Sequence, residues 1–168
     1  MDTVVLVEGI SDRAALETLA RRRGVDVPIV DMGGAHAIRR FLERYDGKRV
    51  VGLCDEGEQN VFARAGIEEF EVCVADLEDE LIRALRPDRV EDALADRDRS
   101  SLRTFQRQPQ WRGRPLHDQL RRFLCSSDNR KLRYVPVLVE IAHDEGAVPR
   151  PLDAVLQAAA AHHSVQEP

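Results

Sequence analysis

The chain has few cysteines and no arrangement of them that would build a framework. Cys54, Cys73 and Cys125 are the three in 168 residues, widely spaced and without a Cys-x-x-Cys pair. Two sit inside apolar runs, so they read as small buried hydrophobes in a reducing compartment rather than as zinc ligands or disulfide halves. No apolar stretch approaches the roughly 20 residues that cross a bilayer, and no basic leader precedes one. The expectation is a soluble, cytoplasmic protein with no membrane partner. Nothing in the composition marks disorder or a fibre, and a chain of this length can bury a substantial core without cross-links.

Charge is present in quantity but unevenly placed. The formal net charge is −5, which alone argues weakly against a nucleic-acid partner. Residues 1–96 hold 13 Lys and Arg against 22 Asp and Glu, residues 97–134 hold 11 against three, and residues 135–168 hold one against five. An acidic module is thus followed by a basic one. That order suits a carboxylate-rich metal site beside a phosphate-binding surface, since Arg and Lys make most contacts to a phosphate backbone. Solvated helical faces would give the same counts, so the motifs have to decide.

The first segment, Val4-Val5-Leu6-Val7-Glu8-Gly9-Ile10-Ser11-Asp12, carries most of the information. Its apolar run reads as a strand buried on both faces, as in a parallel sheet, with Glu8 at the carboxyl end. Gly9 allows a tight turn, and Ser11 or Asp12 suits the N-cap of the helix that follows to Arg23. Strands are expected again at 28–32, 50–54 and 71–75, each after a helix-period segment. The alternation predicts an α/β fold, a four-stranded parallel sheet flanked by helices. Glu8, Gly33-Gly34, Asp55 and Asp76 then share the edge where such sheets bind ligands.

Past the fourth strand, Leu77 to Leu85 reads as a helix whose apolar stripe of Leu77, Leu81, Ile82 and Leu85 also contains Glu78. A buried carboxylate there needs a partner or a metal. Asp79 and Glu80 are expected to point outward, and Asp76 to cap the helix. Pro87-Asp88 opens a short helix, after which the alternation stops. Helices are expected at 100–108, 116–124, 131–143 and 152–162, a basic C-terminal helical extension (97–168) packed on an α/β domain (1–96). The adjacent His162 and His163 read as a solvent-exposed end.

Collected by strand order, the candidate site holds Glu8, Asp12, Asp55, Glu56, Glu58 and Glu78. Crowded carboxylates repel, so a cation should neutralise them, and oxygen donors without a Cys/His set select Mg²⁺ or Mn²⁺. Gly33-Gly34 and Gly57 would let backbone approach a phosphate. A divalent metal beside a basic flank points to phosphoryl transfer on nucleic acid.

At this point the sequence resembles a known family. Val7-Glu8-Gly9-Ile10-Ser11-Asp12 is similar to the first TOPRIM signature, and Leu53-Cys54-Asp55-Glu56-Gly57-Glu58 falls where that family carries an Asp-x-Asp motif. Asp76-Leu77-Glu78-Asp79-Glu80-Leu81 is similar to the segment after the fourth strand in OLD-type (overcoming lysogenization defect) nucleases. The resemblance spans residues 3–85, with a looser match in the helical tail. It implies a TOPRIM, Rossmann-like fold that binds one or two Mg²⁺ or Mn²⁺ ions and acts on nucleic-acid strands. In that scheme Glu8 is a metal ligand or general acid/base, Asp55 is the first acid of the pair, and Asp12 and Glu78 complete the ligand set. One departure is plain: Gly57 replaces the second acid, leaving Glu56 or Glu58 to reach the ion or a second metal poorly held.

Alternatives within the family narrow quickly. Tyr45 and Tyr134 come without room for a topoisomerase nucleophile domain, the cysteines do not make a primase zinc module, and there is no Walker A sequence. The expectation is a free-standing module that works alone or with a separately encoded ATPase.

The basic segment completes the reading. Gln106-Arg107-Gln108-Pro109-Gln110-Trp111-Arg112-Gly113-Arg114 offers Arg107, Arg112 and Arg114 for phosphates and Trp111 for stacking on an unpaired base. Trp111 capping a small helical core is the equal alternative. Arg130, Lys131 and Arg133 crowd a helix start, against the macrodipole preference. They resemble the basic position of OLD-type tails, with Lys131 the candidate for transition-state stabilisation. The expected activity is Mg²⁺-dependent phosphodiester hydrolysis, with DNA the first partner considered and a homo-oligomer compatible. The competing readings are a weakened binding or regulatory module and an RNA-maturation nuclease.

Overall fold

The computed structural model describes residues 2–161, so His162 and His163 lie outside the described residues. Four parallel strands, β1 (Thr3–Val7), β2 (Ile29–Asp31), β3 (Arg49–Asp55) and β4 (Glu69–Cys73), form one sheet in the order β2-β1-β3-β4. Helices α1 (Ile10–Arg23), α2 (Ile38–Arg44) and α3 (Gln59–Ala65) make the crossovers, and α4 (Leu77–Leu85), α5 (Pro87–Gln106), α6 (Leu116–Leu124), α7 (Asp128–Asp144) and α8 (Arg150–Ala160) follow. No described helix is long and apolar enough to cross a membrane.

Alternation along β1 builds two cores, one on each sheet face. Val5 and Val7 join α1, α4 and the C-terminal helices, while Val4 and Leu6 join Ile38, Phe41 and Phe62 from α2 and α3. All four are 0% exposed. Each such side chain contributes about 1.5–3 kcal/mol by leaving water, which makes β1 the rigid centre of the sheet. Phe105, Phe123, Tyr134, Leu138, Leu152 and Val155, from α5 to α8, lie in the same core as α1. Helix α7 lies along α1, and α8 covers β3 and β4.

Several boundaries differ from the sequence expectation, each for a local reason. Helix α1 is capped by Gly9, not by Ser11 or Asp12, because the Asp12 carboxylate folds back to accept the Gly9 N–H at 3.0 Å. Strand β4 ends at Cys73, two residues early: Val74 is 52% exposed, its N–H donates to Glu80 Oε1 at 2.8 Å, and Ala75 turns with φ 63°. The short helix after Pro87 and the one expected at 100–108 run together as α5, with a break at Asp98. Asp98 acts there as an internal cap, accepting from the Ser101 N–H at 3.0 Å. Helix α7 starts three residues early because Ser127 caps it, its side chain accepting from the Arg130 N–H. Helix α8 starts two residues early, with Pro151 in its first turn.

Gly52, in β3, has no room for a side chain: a Cβ there would stand 2.9 Å from two ring carbons of Phe62 and from Phe70 Cβ. Gly52→Ala is expected to lower stability by about 1–3 kcal/mol through overpacking, read as a shifted urea midpoint at unchanged m. An unshifted midpoint would contradict this packing.

Candidate metal and phosphate site

The site forms where the sheet changes its winding. From β1 the chain crosses through α1 on one face to β2, then through α2 on the other face to β3, on the opposite side of β1. The two crossovers part at the carboxyl end of β1, and this opens a crevice there. Glu8 follows β1 directly. Its carbonyl accepts the Gly34 N–H at 2.9 Å, and Gly33 and Gly34 reach that position with φ of 66° and 121°. Asp55 ends β3, Asp12 sits in the first turn of α1, and Glu78 in the first turn of α4.

Glu8, Asp12, Asp55, Glu78 and Lys131 line one cleft of about 380 Å³, with Gly33 and Gly34 at its wall. Burial raises Glu8, against a hydrogen bond from the Asp55 N–H, and Glu58 adds to the rise while Lys131 offsets part of it. Burial together with Asp55 pushes Asp12 up to about 8. Burial together with Glu8 and Asp76 pushes Asp55 up to about 7. Lys131 stands 3.5 Å from Glu78 Oε1. Burial alone would lower Lys131, but the charge of Glu78 and its neighbours holds it above its ordinary value.

Two oxygens decide what the cleft can hold. Glu8 Oε2 is buried without a hydrogen-bond donor, and Glu78 Oε1, on a residue 1% exposed, has only the Lys131 ammonium at 3.5 Å. An unpartnered buried carboxylate costs several kcal/mol unless it is protonated or bound to a cation. The donors are all oxygen, which fits Mg²⁺ or Mn²⁺. Asp76, Glu78 and Cys125 are the one trio among the described residues with donor atoms all within 4.8 Å. Asp76 is already engaged there, capping α4 through the Asp79 N–H at 2.8 Å and accepting Arg121 at 2.7 and 2.9 Å. The Cys125 thiol is a soft ligand, a poor match to Mg²⁺ or Mn²⁺. The Glu8 cleft is therefore the better cation site.

The structure brings Glu8, Asp12, Asp55, Glu78 and Lys131 together as expected from the sequence. Glu58 does not line the cleft, though its charge reaches Glu8, and Glu56 is exposed. Glu80 does not point outward as expected: it is 8% exposed, because its carboxylate ties down the Val74 N–H and pairs with Arg83 at 3.1 Å. Asp79 also turns inward, meeting His117 at 2.6 Å. Asp31 and Asp128 line the cleft without having been anticipated. Asp31 was findable, since it ends β2 on the same edge. Asp128 was not, because only the tertiary fold brings the start of α7 there.

The basic residues separate into two groups. Arg133 pairs with Asp98 at 3.4 Å, and Arg130 lies over the Phe123 ring at 4.3 Å, so neither lines the acidic cleft. Arg107 and Arg112 are exposed and line neither that cleft nor the one beside it. Trp111 and Arg114 line a neighbouring cleft of about 620 Å³ that also includes Asp76, Arg121 and Cys125. Trp111 packs on Phe105 with ring centroids 5.5 Å apart, so the core-capping role is real.

Comparison with known proteins agrees with this architecture. Residues 1–55 match the family model described as "Overcoming lysogenization defect protein-like, TOPRIM domain". The C-terminal region of the Burkholderia pseudomallei OLD protein superposes with TM-score 0.67 at 14% identity, covering 94% of this chain and 96% of that one. The C-terminal region of the Xanthomonas campestris pv. campestris OLD protein gives TM-score 0.60 at 18% identity, covering 98% and 97%. No curated protein matches the chain by sequence. The TOPRIM resemblance read from the first signature thus holds, and at these identities the structural likeness speaks for the fold.

Carboxylates held above their unfolded values stabilise the metal-free fold while protonated, fully below the unfolded value near 4. That stability is lost as pH rises through about 7 to 8, the folded values of Asp55 and Asp12. Thermal unfolding in EDTA is therefore expected to show a falling Tm between about pH 5 and pH 8. Saturating Mn²⁺ should raise Tm more at the higher pH, because cation binding displaces those protons. A metal effect independent of pH would contradict the assignment.

Proposed function

We propose that the OLD-like TOPRIM segment and the helices packed on it form a metal-dependent nuclease that hydrolyses phosphodiesters, with DNA as the first substrate to test. The observation that carries this reading is a cleft of four carboxylates in which Glu8 Oε2 is buried without a donor and Glu78 Oε1 meets only Lys131. TOPRIM domains as a family act on nucleic acid with divalent metal, which supplies the reaction class.

Glu8, Asp12, Asp55 and Glu78 would hold the cation. Once bound, it contributes Lewis acidity toward a phosphodiester oxygen. The protein does the rest. Gly33 and Gly34 present backbone without side-chain bulk at the cleft wall, where a phosphate can approach closely. Lys131 neutralises charge developing on the phosphorane-like transition state, its ammonium kept protonated by Glu78. Water adds to phosphorus, one P–O ester bond breaks, and the products are a phosphomonoester and a free hydroxyl.

Gly57 favours the competing reading of a weakened, regulatory module, because it removes the second acid expected after Asp55. The position itself would accept one: a Cβ there meets no atom within 4 Å.

Purified protein with Mg²⁺ or Mn²⁺ is expected to nick supercoiled plasmid, and EDTA, Glu8→Ala and Asp55→Ala to abolish nicking. Lys131→Ala should lower kcat by on the order of 10²–10³ with folding intact. Equal residual nicking by wild type and both carboxylate variants would sink the enzyme reading. Gly57→Asp is expected to lower the Mn²⁺ concentration giving half-maximal rate by roughly tenfold, the scale of one added metal contact. No change there would mean that Gly57 does not limit metal binding.

A further inference from the structure

The larger cleft, of about 620 Å³, is lined by Trp111, Gln110, Arg114, Arg121, Arg122 and Cys125, with Asp76 and Asp118. Its size lies within the roughly 300–1,000 Å³ of clefts that enclose an organic ligand. Its chemistry is not that of a hydrophobic gap. One side of the Trp111 indole lies against Phe105 at an interplanar angle of 21°, and the ring also lines the opening. Arg121 is neutralised by Asp76. Arg114 and Arg122 are exposed and pair with no carboxylate among the described residues, so two free cations face one carboxylate, Asp118.

This cleft adjoins the acidic one. Asp76 lines the first and Glu78 the second, with donor atoms within 4.8 Å of each other. A strand whose phosphates follow Arg114 and Arg122 would therefore arrive at the carboxylates. A flat aromatic ring backed by a second ring, beside guanidinium groups and the Gln110 amide, suits a nucleobase with its flanking phosphates. Bases in a duplex are already stacked on each other and do not offer a free face to a recessed ring.

Resting on the nucleic-acid reading above, the geometry points to Trp111, Gln110, Arg114 and Arg122 as a seat for one unpaired nucleotide next to the phosphate that is cut. The substrate class is thereby narrowed to single-stranded, gapped or flapped nucleic acid. The cleft selects strand state, and the carboxylates do the chemistry.

Trp111 is the only tryptophan of the chain, so its emission reports on this cleft alone. Titration in EDTA with an oligothymidylate of about a dozen nucleotides is expected to quench it saturably. The blunt duplex of that strand and inorganic phosphate should quench several-fold less at the same concentration. By anisotropy of the labelled strand, Trp111→Ala and Trp111→Phe should weaken binding by roughly 5- to 150-fold and by less, respectively. Arg114→Ala and Arg122→Ala should each reduce the salt slope by about 0.7. Trp111→Phe keeps a ring against Phe105, so it serves if the alanine variant unfolds. Equal quenching by duplex, no quenching by the single strand, or wild-type affinity in both Trp111 variants would overturn the proposal. Because no cation is present, an absence of nicking would count against the nuclease reading and leave this result standing.

Discussion

The burial of several carboxylates in one cleft is the constraint on which the carboxyl-terminal edge of the sheet depends. Glu8 is fixed by a strand buried on both faces, Asp12 by the Gly9 N–H, Asp55 by the end of the next strand and Glu78 by the apolar stripe of α4. Desolvation disfavours the charged form of each, and the charges of the neighbouring carboxylates add to that. Burial first, and the neighbouring carboxylates after it, favour protons here, so Asp12 and Asp55 are raised to about 8 and about 7. Lys131 offsets part of this through Glu78. Glu8 Oε2 is still left without a donor and Glu78 Oε1 with none but Lys131, a deficit that a divalent cation would answer.

The helices after the sheet are part of this arrangement. Arg121 and His117, from α6 and its first turn, hold Asp76 and Asp79 at the start of α4, and Lys131 from α7 meets Glu78. The turn that presents Glu78 is thus fixed from outside the sheet. The same α6 carries Arg121 and Arg122 into the larger cleft, so the surface with free cations and the start of α4 share one support.

Much of this was legible in sequence. The apolar run ending in Glu8, the glycine pair after β2 and Asp55 after β3 each mark a strand's carboxyl end, and parallel strands put those ends together. Glu78 stood out because a charge inside an apolar helical stripe needs an explanation. The misses share a cause: they depend on partners far along the chain or on a turn no pattern announces. Glu80 is buried because Val74 needs an acceptor once β4 stops at Cys73. Asp128 reaches the cleft because α7 lies along α1. Arg130 and Arg133 looked free in sequence, but an aromatic ring and Asp98 take them up. Trp111 could not be assigned between lid and binding surface from its neighbours, because its position allows both.

The central claim is that the buried carboxylates exist to hold a divalent cation. Anomalous scattering from crystals soaked in Mn²⁺ at about pH 8 tests it without reference to activity or substrate. The account predicts one or two anomalous peaks in the cleft between Glu8, Asp12, Asp55 and Glu78, lost in Glu8→Ala crystals. An unoccupied cleft, with Mn²⁺ bound only at surface acids or only at Cys125, would contradict it.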